Sequence, residues 1–182
     1  MNSSTLCQIG FNRDASSGNE IGATAGLAIL ASSTGNRRSR VKVRIKWIDN
    51  VAFKGETESG HTLIMDGSPE VGGKNLGPRP METVLMGTGG CSASDVILIL
   101  KKGRQQVTDC VVNVTAERAL TDPKVFTAIH FQYIVTGVGM SREKVERAIK
   151  LSADIYCSAT AMLAKTATVT HDFEILETAN PN

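Results

Sequence analysis

Aromatic residues are scarce in this chain: one Trp, two Tyr and five Phe among 182 residues. Surfaces that hold single-stranded nucleic acid stack bases on aromatic rings, and duplex binders gather their basic residues on one face. Here the net charge is only +2 at pH 7, and the basic residues are scattered apart from Arg37, Arg38 and Arg40. No nucleic acid is expected as a partner. Long apolar runs are missing as well; none approaches the roughly 20 residues that cross a bilayer, so no membrane association is expected. Cysteine is sparse too. Cys7, Cys91, Cys110 and Cys157 are too few and too irregularly spaced for a disulfide framework or a CxxC zinc site. His61, His130 and His171 share no ligand spacing, so the expectation is no metal and no other cofactor. Few cysteines fit a reducing, cytoplasmic setting, where a disulfide is usually transient and catalytic.

Residues 1–40 differ in composition from the rest of the chain, being dominated by Ser, Asn, Gly and Ala. They are expected to form a poorly ordered N-terminal tail, with a single domain over 41–182. The stretch from Ile21 to Ala31 has the apolar character of a signal peptide, but only Arg13 supplies positive charge ahead of it. Export is therefore not expected.

At Val41 the pattern becomes regular. Val41, Val43, Ile45 and Trp47 alternate with Lys42, Arg44 and Lys46, which predicts a half-buried strand. Turns at Asp49-Asn50 and Ser59-Gly60 separate it from strands around Val51–Thr57 and His61–Met65, giving an antiparallel meander. A Gly- and Pro-rich loop runs from Asp66 to Pro80. From Met81 to about Lys102 the apolar residues have helical spacing, ending in the run Val96–Leu100, and the helix is expected to be buried. Within it stand Gly87, Gly89 and Gly90, each costing a helix about 1 kcal/mol relative to Ala. Either a packed neighbour or a ligand channel approaches this backbone. Two more strands are predicted over Val107–Thr115 and Phe126–Thr136. A helix capped by Ser141 comes next, with Val145, Ala148, Ile149, Ser152 and Tyr156 inward. A short helix over Cys157–Lys165 and a strand over Thr166–Leu176 end the pattern. The order βββ-α-ββ-αα-β, with helices segregated between runs of strands, indicates an α+β fold.

Cys91 directly follows two glycines on the long helix, and Ser92, Ser94 and Asp95 lie within the next turn. It is either a packing residue or a reactive thiol, since free Cys is often simply buried. Cys157 stands near a helix start, where unpaired N–H groups favour a thiolate. Sixty-six residues separate the two, so spacing alone does not pair them. Cys110, between Asp109 and Val111 on a strand, reads as structural.

Two segments carry a resemblance. One runs Gly77-Pro78-Arg79-Pro80-Met81-Glu82-Thr83-Val84-Leu85 through Gly89-Gly90-Cys91-Ser92-Ala93; the other runs Tyr156-Cys157-Ser158 through Lys165 into the last strand. Together they resemble the OsmC/Ohr family, in particular its YhfA-like branch, over about Val41–Glu177. The resemblance implies an OsmC-like fold with an antiparallel sheet around the long buried helix, and an intertwined homodimer with two sites at its interface. It also implies a thiol peroxidase for organic hydroperoxides, in which Cys91 becomes a sulfenic acid that Cys157 resolves as a disulfide. A thiol reductant, such as a dihydrolipoyl protein, would recycle it. An apolar pocket around Val84, Leu85 and Met162 would suit such substrates.

The chain departs from the family at its Glu position and in offering no clear partner Arg. The family's peroxidases place a Glu directly after the proline, ten residues before the reactive Cys, and pair it with an early-strand Arg; Met81 occupies the Glu position here. Arg44 by its alternation faces solvent, and the early strands otherwise carry Lys. Glu82, Arg79 and Asp95 are the candidate supporting residues. Glu82 is nine residues from Cys91, which puts it on the opposite side of a regular helix. Catalysis would then be weak, and the alternative is a redox-responsive or small-ligand binding protein.

Overall fold

The computed structural model describes residues 40–179. Apart from Arg40, the expected tail over 1–40 falls outside the described residues, as does Cys7. Strands β1 (Val43–Asp49), β2 (Ala52–Thr57) and β3 (Thr62–Met65) form the expected antiparallel meander. Register runs from Val43 opposite Thr57 and from Phe53 opposite Met65. Its first turn uses Asn50 with φ 44° and its second uses Gly60 with φ 86°, a conformation that few other residues adopt without strain.

The alternation in β1 is real, but its apolar row is uncovered. Val43 is 63% exposed, Ile45 55% and Trp47 62%. Among the described residues, none covers the face that the pattern marks for burial. The meander also pairs with no strand of the second sheet.

The loop after β3 is organised by Asp66, a buried carboxylate that accepts N–H bonds from Gly67 (2.8 Å), Lys74 (2.9 Å) and Leu76 (3.1 Å). These donors hold its pKa below the ordinary value, the Leu76 bond being the largest cause. Gly73 is required here, since a Cβ on it would stand 2.0 Å from the Gly67 carbonyl oxygen. The loop delivers the chain to helix α1 (Pro80–Lys102), where proline occupies the first turn and Arg79 is the N-cap.

One stripe of α1 is buried: Thr88, Gly89, Ser92, Val96 and Leu100. It packs on the second sheet, built from β4 (Gln106–Arg118), β5 (Phe126–Val138) and β6 (Thr168–Glu177) in the order β4-β5-β6. Gly89 permits close contact with this sheet, because a Cβ there would lie 3.1 Å from Val114 Cγ2; at Gly87 and Gly90 a Cβ would meet open space. The other side of α1 is uncovered, with Val84 41%, Met86 60% and Leu98 57% exposed. The expectation of a fully buried helix thus holds for one face only. By length and composition α1 is long and apolar enough to cross a membrane, a test that core helices also pass.

The second sheet corrects another expectation, since it is not antiparallel throughout. β4 and β5 form an antiparallel hairpin, but β6 runs parallel to β5. The segment between β5 and β6, which contains both remaining helices, is long enough for the crossover that a parallel pair requires. In β5, Ile129, Phe131, Tyr133 and Val135 alternate onto the buried face. With Val96, Leu100, Val145, Ala148 and Ile149 they form the core. Each such side chain contributes about 1.5–3 kcal/mol of burial free energy.

Helix α2 (Arg142–Leu151) starts as predicted, Ser141 Oγ accepting from Lys144 N at 3.3 Å. It continues into a π-helical turn over Ser152–Tyr156 before α3 (Ser158–Leu163). A π turn fits an extra residue into the winding, so the inward phase slips. Ser152 stays buried, while Tyr156, expected inward, is 56% exposed.

Candidate functional site

Where α1 meets the junction of the π turn and α3, two cysteines distant in sequence come together. Cys91 sits half-buried on α1, and Asp95 follows one turn later on the same face. Cys157, only 1% exposed, is the residue between the π turn and α3. The two Sγ atoms and a carboxylate oxygen of Asp95 all lie within 4.8 Å of one another. Both cysteines are free thiols.

Hydrogen-bond donors converge on the sulfurs. Thr160 donates to Cys157 Sγ through its backbone N at 3.4 Å and its hydroxyl at 3.1 Å. Burial pushes the Cys91 thiol up; the Ala159 N–H opposes that rise, and Cys157 and Asp95 add to it.

Behind the thiols runs a buried chain of hydroxyls. Tyr133 OH lies 2.5 Å from Ser92 Oγ, which lies 2.9 Å from Ser152 Oγ. Ser152 donates its proton toward Asp95 Oδ2 and toward the Ser92 carbonyl, each at 3.3 Å. These bonds agree with the direction in which Ser152 accepts from Ser92 and Ser92 accepts from Tyr133. The core is thereby tied to the carboxylate beside the cysteines. Sequence reasoning places Ser152 inward and Ser92 near Cys91, but it misses Tyr133 and Thr160. The available signals are weak: a Thr three residues after a helix start, and a Tyr in an otherwise apolar strand row.

The other candidates are not brought to the thiols within one chain. Glu82 and Arg79 form a capping pair at the start of α1, Arg79 N donating to Glu82 Oε2 at 2.8 Å and Nη1 to Oε1 at 3.1 Å. Nine helical residues set Glu82 about 13 Å along the axis from Cys91. Arg44 is exposed and pairs with Glu56 at 2.7 Å. Cys110 packs against the core from β4, as a structural residue would. His130 is satisfied on an exposed sheet face by Thr170 (2.8 Å) and Asp172 (3.2 Å).

Two clefts of about 470 and 490 Å³ flank α1 and share Glu82 and Leu85. The first is lined also by Met81 and Phe126; the second by Met86, Gly89, Gly90, Val112 and Val114, ending one residue before Cys91. Of the apolar pocket expected around Val84, Leu85 and Met162, only Leu85 lines these clefts; Val84 and Met162 stand exposed outside them. Leu85 is turned toward the sheet and Val84, one residue earlier, toward the open side of α1.

Comparison with known proteins gives the family and the fold. The sequence profile described as OsmC-like protein matches residues 72–172. Protein YhfA of Escherichia coli strain K12 is 47% identical over 136 residues, which are 75% of this chain and 98% of that protein. A hypothetical protein from Aquifex aeolicus VF5, whose crystal structure is known, is 28% identical with a TM-score of 0.69, over 78% of this chain and 99% of that one. The organic hydroperoxide resistance protein OhrB of Bacillus subtilis shares the fold at 15% identity and a TM-score of 0.53, over 75% and 98%. With half of its length matched by the profile and a near-complete relative at 47% identity, the chain belongs to the OsmC-like protein family.

Proposed function

We propose that this protein is a cytoplasmic thiol peroxidase that reduces organic hydroperoxides and works as a homodimer. The observation that carries the proposal is the convergence of Cys91 and Cys157, from separate elements, to within 4.8 Å while both remain thiols. Cys91, the more accessible of the two, attacks one oxygen of ROOH as its thiolate. The O–O bond breaks, ROH departs with a proton, and the sulfur becomes a sulfenic acid. Cys157 then attacks that sulfur, water leaves, and a disulfide forms. A dithiol reductant, such as a dihydrolipoyl protein, returns both sulfurs to thiols. Bond formation needs the sulfurs at about 2.05 Å. Cys157 stands at the bend between the π turn and α3, where a small rotation can close that gap.

The apolar clefts beside Leu85 suit substrates with hydrocarbon tails, such as fatty acid hydroperoxides. The uncovered row Val43, Ile45 and Trp47, together with the open face of α1, supports a second copy of the chain as the missing cover. The name of OhrB, an organic hydroperoxide resistance protein, points to the same chemistry.

The decisive experiment titrates reduced protein with cumene hydroperoxide while counting free thiols, and locates the disulfide by mass spectrometry. Rapid loss of two thiols into a Cys91–Cys157 bond, with Cys157→Ser stopping at sulfenic acid, is the expected result. Loss no faster than for a small free thiol refutes efficient catalysis. It would favour the second reading, a redox-responsive or small-ligand binding protein. That reading draws on Met81 in the family's Glu position, and on Arg79 being engaged by Glu82 away from Cys91.

A further inference from the structure

The thiol pair and Asp95 make up more than a redox couple. Cys91 Sγ, Cys157 Sγ and a carboxylate oxygen form a triangle with no side longer than 4.8 Å. Around a tetrahedral zinc ion, with Zn–S near 2.3 Å and Zn–O near 2.1 Å, such donors stand roughly 3.5–3.8 Å apart. A contraction of about 1 Å or less would bring all three onto one ion.

Each donor is already oriented by an outer partner. Thr160 holds Cys157 through two hydrogen bonds, and the Ala159 N–H reaches Cys91. One oxygen of Asp95 accepts from Ser152, which is backed by Ser92 and Tyr133. Outer partners of this kind fix metal ligands in place. The charge balance points the same way. Binding would release the two thiol protons, so that the ion faces two thiolates and a carboxylate that none of the ion pairs among the described residues reaches. Arg79, Arg44 and Lys150 are engaged by Glu82, Glu56 and Asp154.

We propose that the reduced protein binds a zinc-like divalent cation through Cys91, Cys157 and Asp95, with a fourth position open to water on the exposed side of Cys91. Two sulfur ligands select a borderline-soft ion such as Zn²⁺ over Mg²⁺ or Ca²⁺, which take oxygen donors. The ion and the disulfide exclude each other. When a hydroperoxide oxidises the bound thiolates, two protons are consumed, the disulfide, an alcohol and water form, and the ion is released. The site needs only the two thiols and the carboxylate, so it stands whether or not hydroperoxides are the substrate.

The test uses the full chain, reduced and handled without oxygen, in a Zn²⁺ titration against a chromophoric chelator of micromolar affinity. A parallel sample is loaded with Co²⁺. The expected result is one ion per chain, with sulfur-to-cobalt charge-transfer absorption and the strong visible bands of a tetrahedral site. Oxidation of the wild type to the disulfide should abolish binding, and Asp95→Asn should weaken it at least ten-fold while the circular dichroism spectrum stays native. No ion held against the chelator overturns the proposal. So does a Co²⁺ spectrum without sulfur bands, or retention unchanged in Asp95→Asn. Running the hydroperoxide titration on chelator-treated, metal-free protein makes failure of the peroxidase reading distinguishable from failure here.

Discussion

Ser92→Ala is the sharpest probe of how the core supports the thiols. Ser92 is 1% exposed and Tyr133 2%, so neither hydroxyl has water as an alternative partner. Replacing Ser by Ala removes one atom and leaves the packing almost intact. The loss is then electrostatic: Tyr133 keeps a buried O–H with no acceptor, and Ser152 loses its donor. An orphaned buried donor costs about 1–3 kcal/mol. With a second broken bond in the same chain, roughly 2–3 kcal/mol is expected.

Tyr133→Phe removes the donor itself and leaves only an unfilled lone pair on Ser92, for roughly 1 kcal/mol. The informative species is the double variant. Once the phenolic O–H is gone, Ser92→Ala no longer strands it, so the two losses should combine to less than their sum by about 1 kcal/mol. Urea unfolding at fixed chain concentration reads this directly. With m near 2 kcal/mol/M, Ser92→Ala should lower the midpoint by about 1 M, and adding Tyr133→Phe should lower it little further. Strict additivity, or a Ser92→Ala protein within about 0.5 kcal/mol of wild type, would refute the relay.

Three further outcomes rest on particular residues. Asp66 has its pKa lowered by N–H donors in the folded chain, so its stabilisation is present above the unfolded value near 3.9 and is lost as pH falls through the folded value. Asp66→Asn should therefore destabilise at pH 7 but converge with wild type once pH has fallen below the lowered folded pKa of Asp66, measured by thermal unfolding across pH. In the proposed homodimer the wild type scatters as twice 19.4 kDa, and Ile45→Asp, which places a charge in the uncovered row of β1, should shift this toward a single copy; a dimeric mass left unchanged by the substitution would remove this face from the proposed interface. Cys110→Ala should leave the proposed hydroperoxide-driven loss of two thiols unaltered, because Cys110 packs against the core from β4, and a slower reaction would show that it takes part.

How much of the fold and the site is legible in the sequence depends on whether the information is local. Ser141 as a cap, Pro80 opening α1, and the turns at Asn50 and Gly60 are all readable, because each is set by the conformational preference of one or two residues. Alternation also finds β5, whose inner row is fully buried. The direction of β6 is not readable, since an alternating pattern is the same in a parallel or an antiparallel neighbour. Tyr156 departs from its expected inward position for a related reason. Helical periodicity assumes a constant advance per residue, and the π turn over Ser152–Tyr156 breaks that assumption.

That same break assembles the candidate site. The slipped phase ends α2 with Ser152 still facing the core, where its hydroxyl meets Ser92 and Asp95, and then turns the chain so that the next residue, Cys157, points back at α1. A regular continuation of α2 would advance each residue by about 100°, carrying positions 153–157 around the helix without the bend that precedes α3. Distances between Cys91 and Cys157 are therefore governed by a five-residue irregularity that no periodic pattern encodes. A substitution regularising this turn should then separate the thiols without touching either one. Such a change would slow disulfide formation more than the initial attack on an oxidant, and trapped sulfenic acid at Cys91 would record the difference.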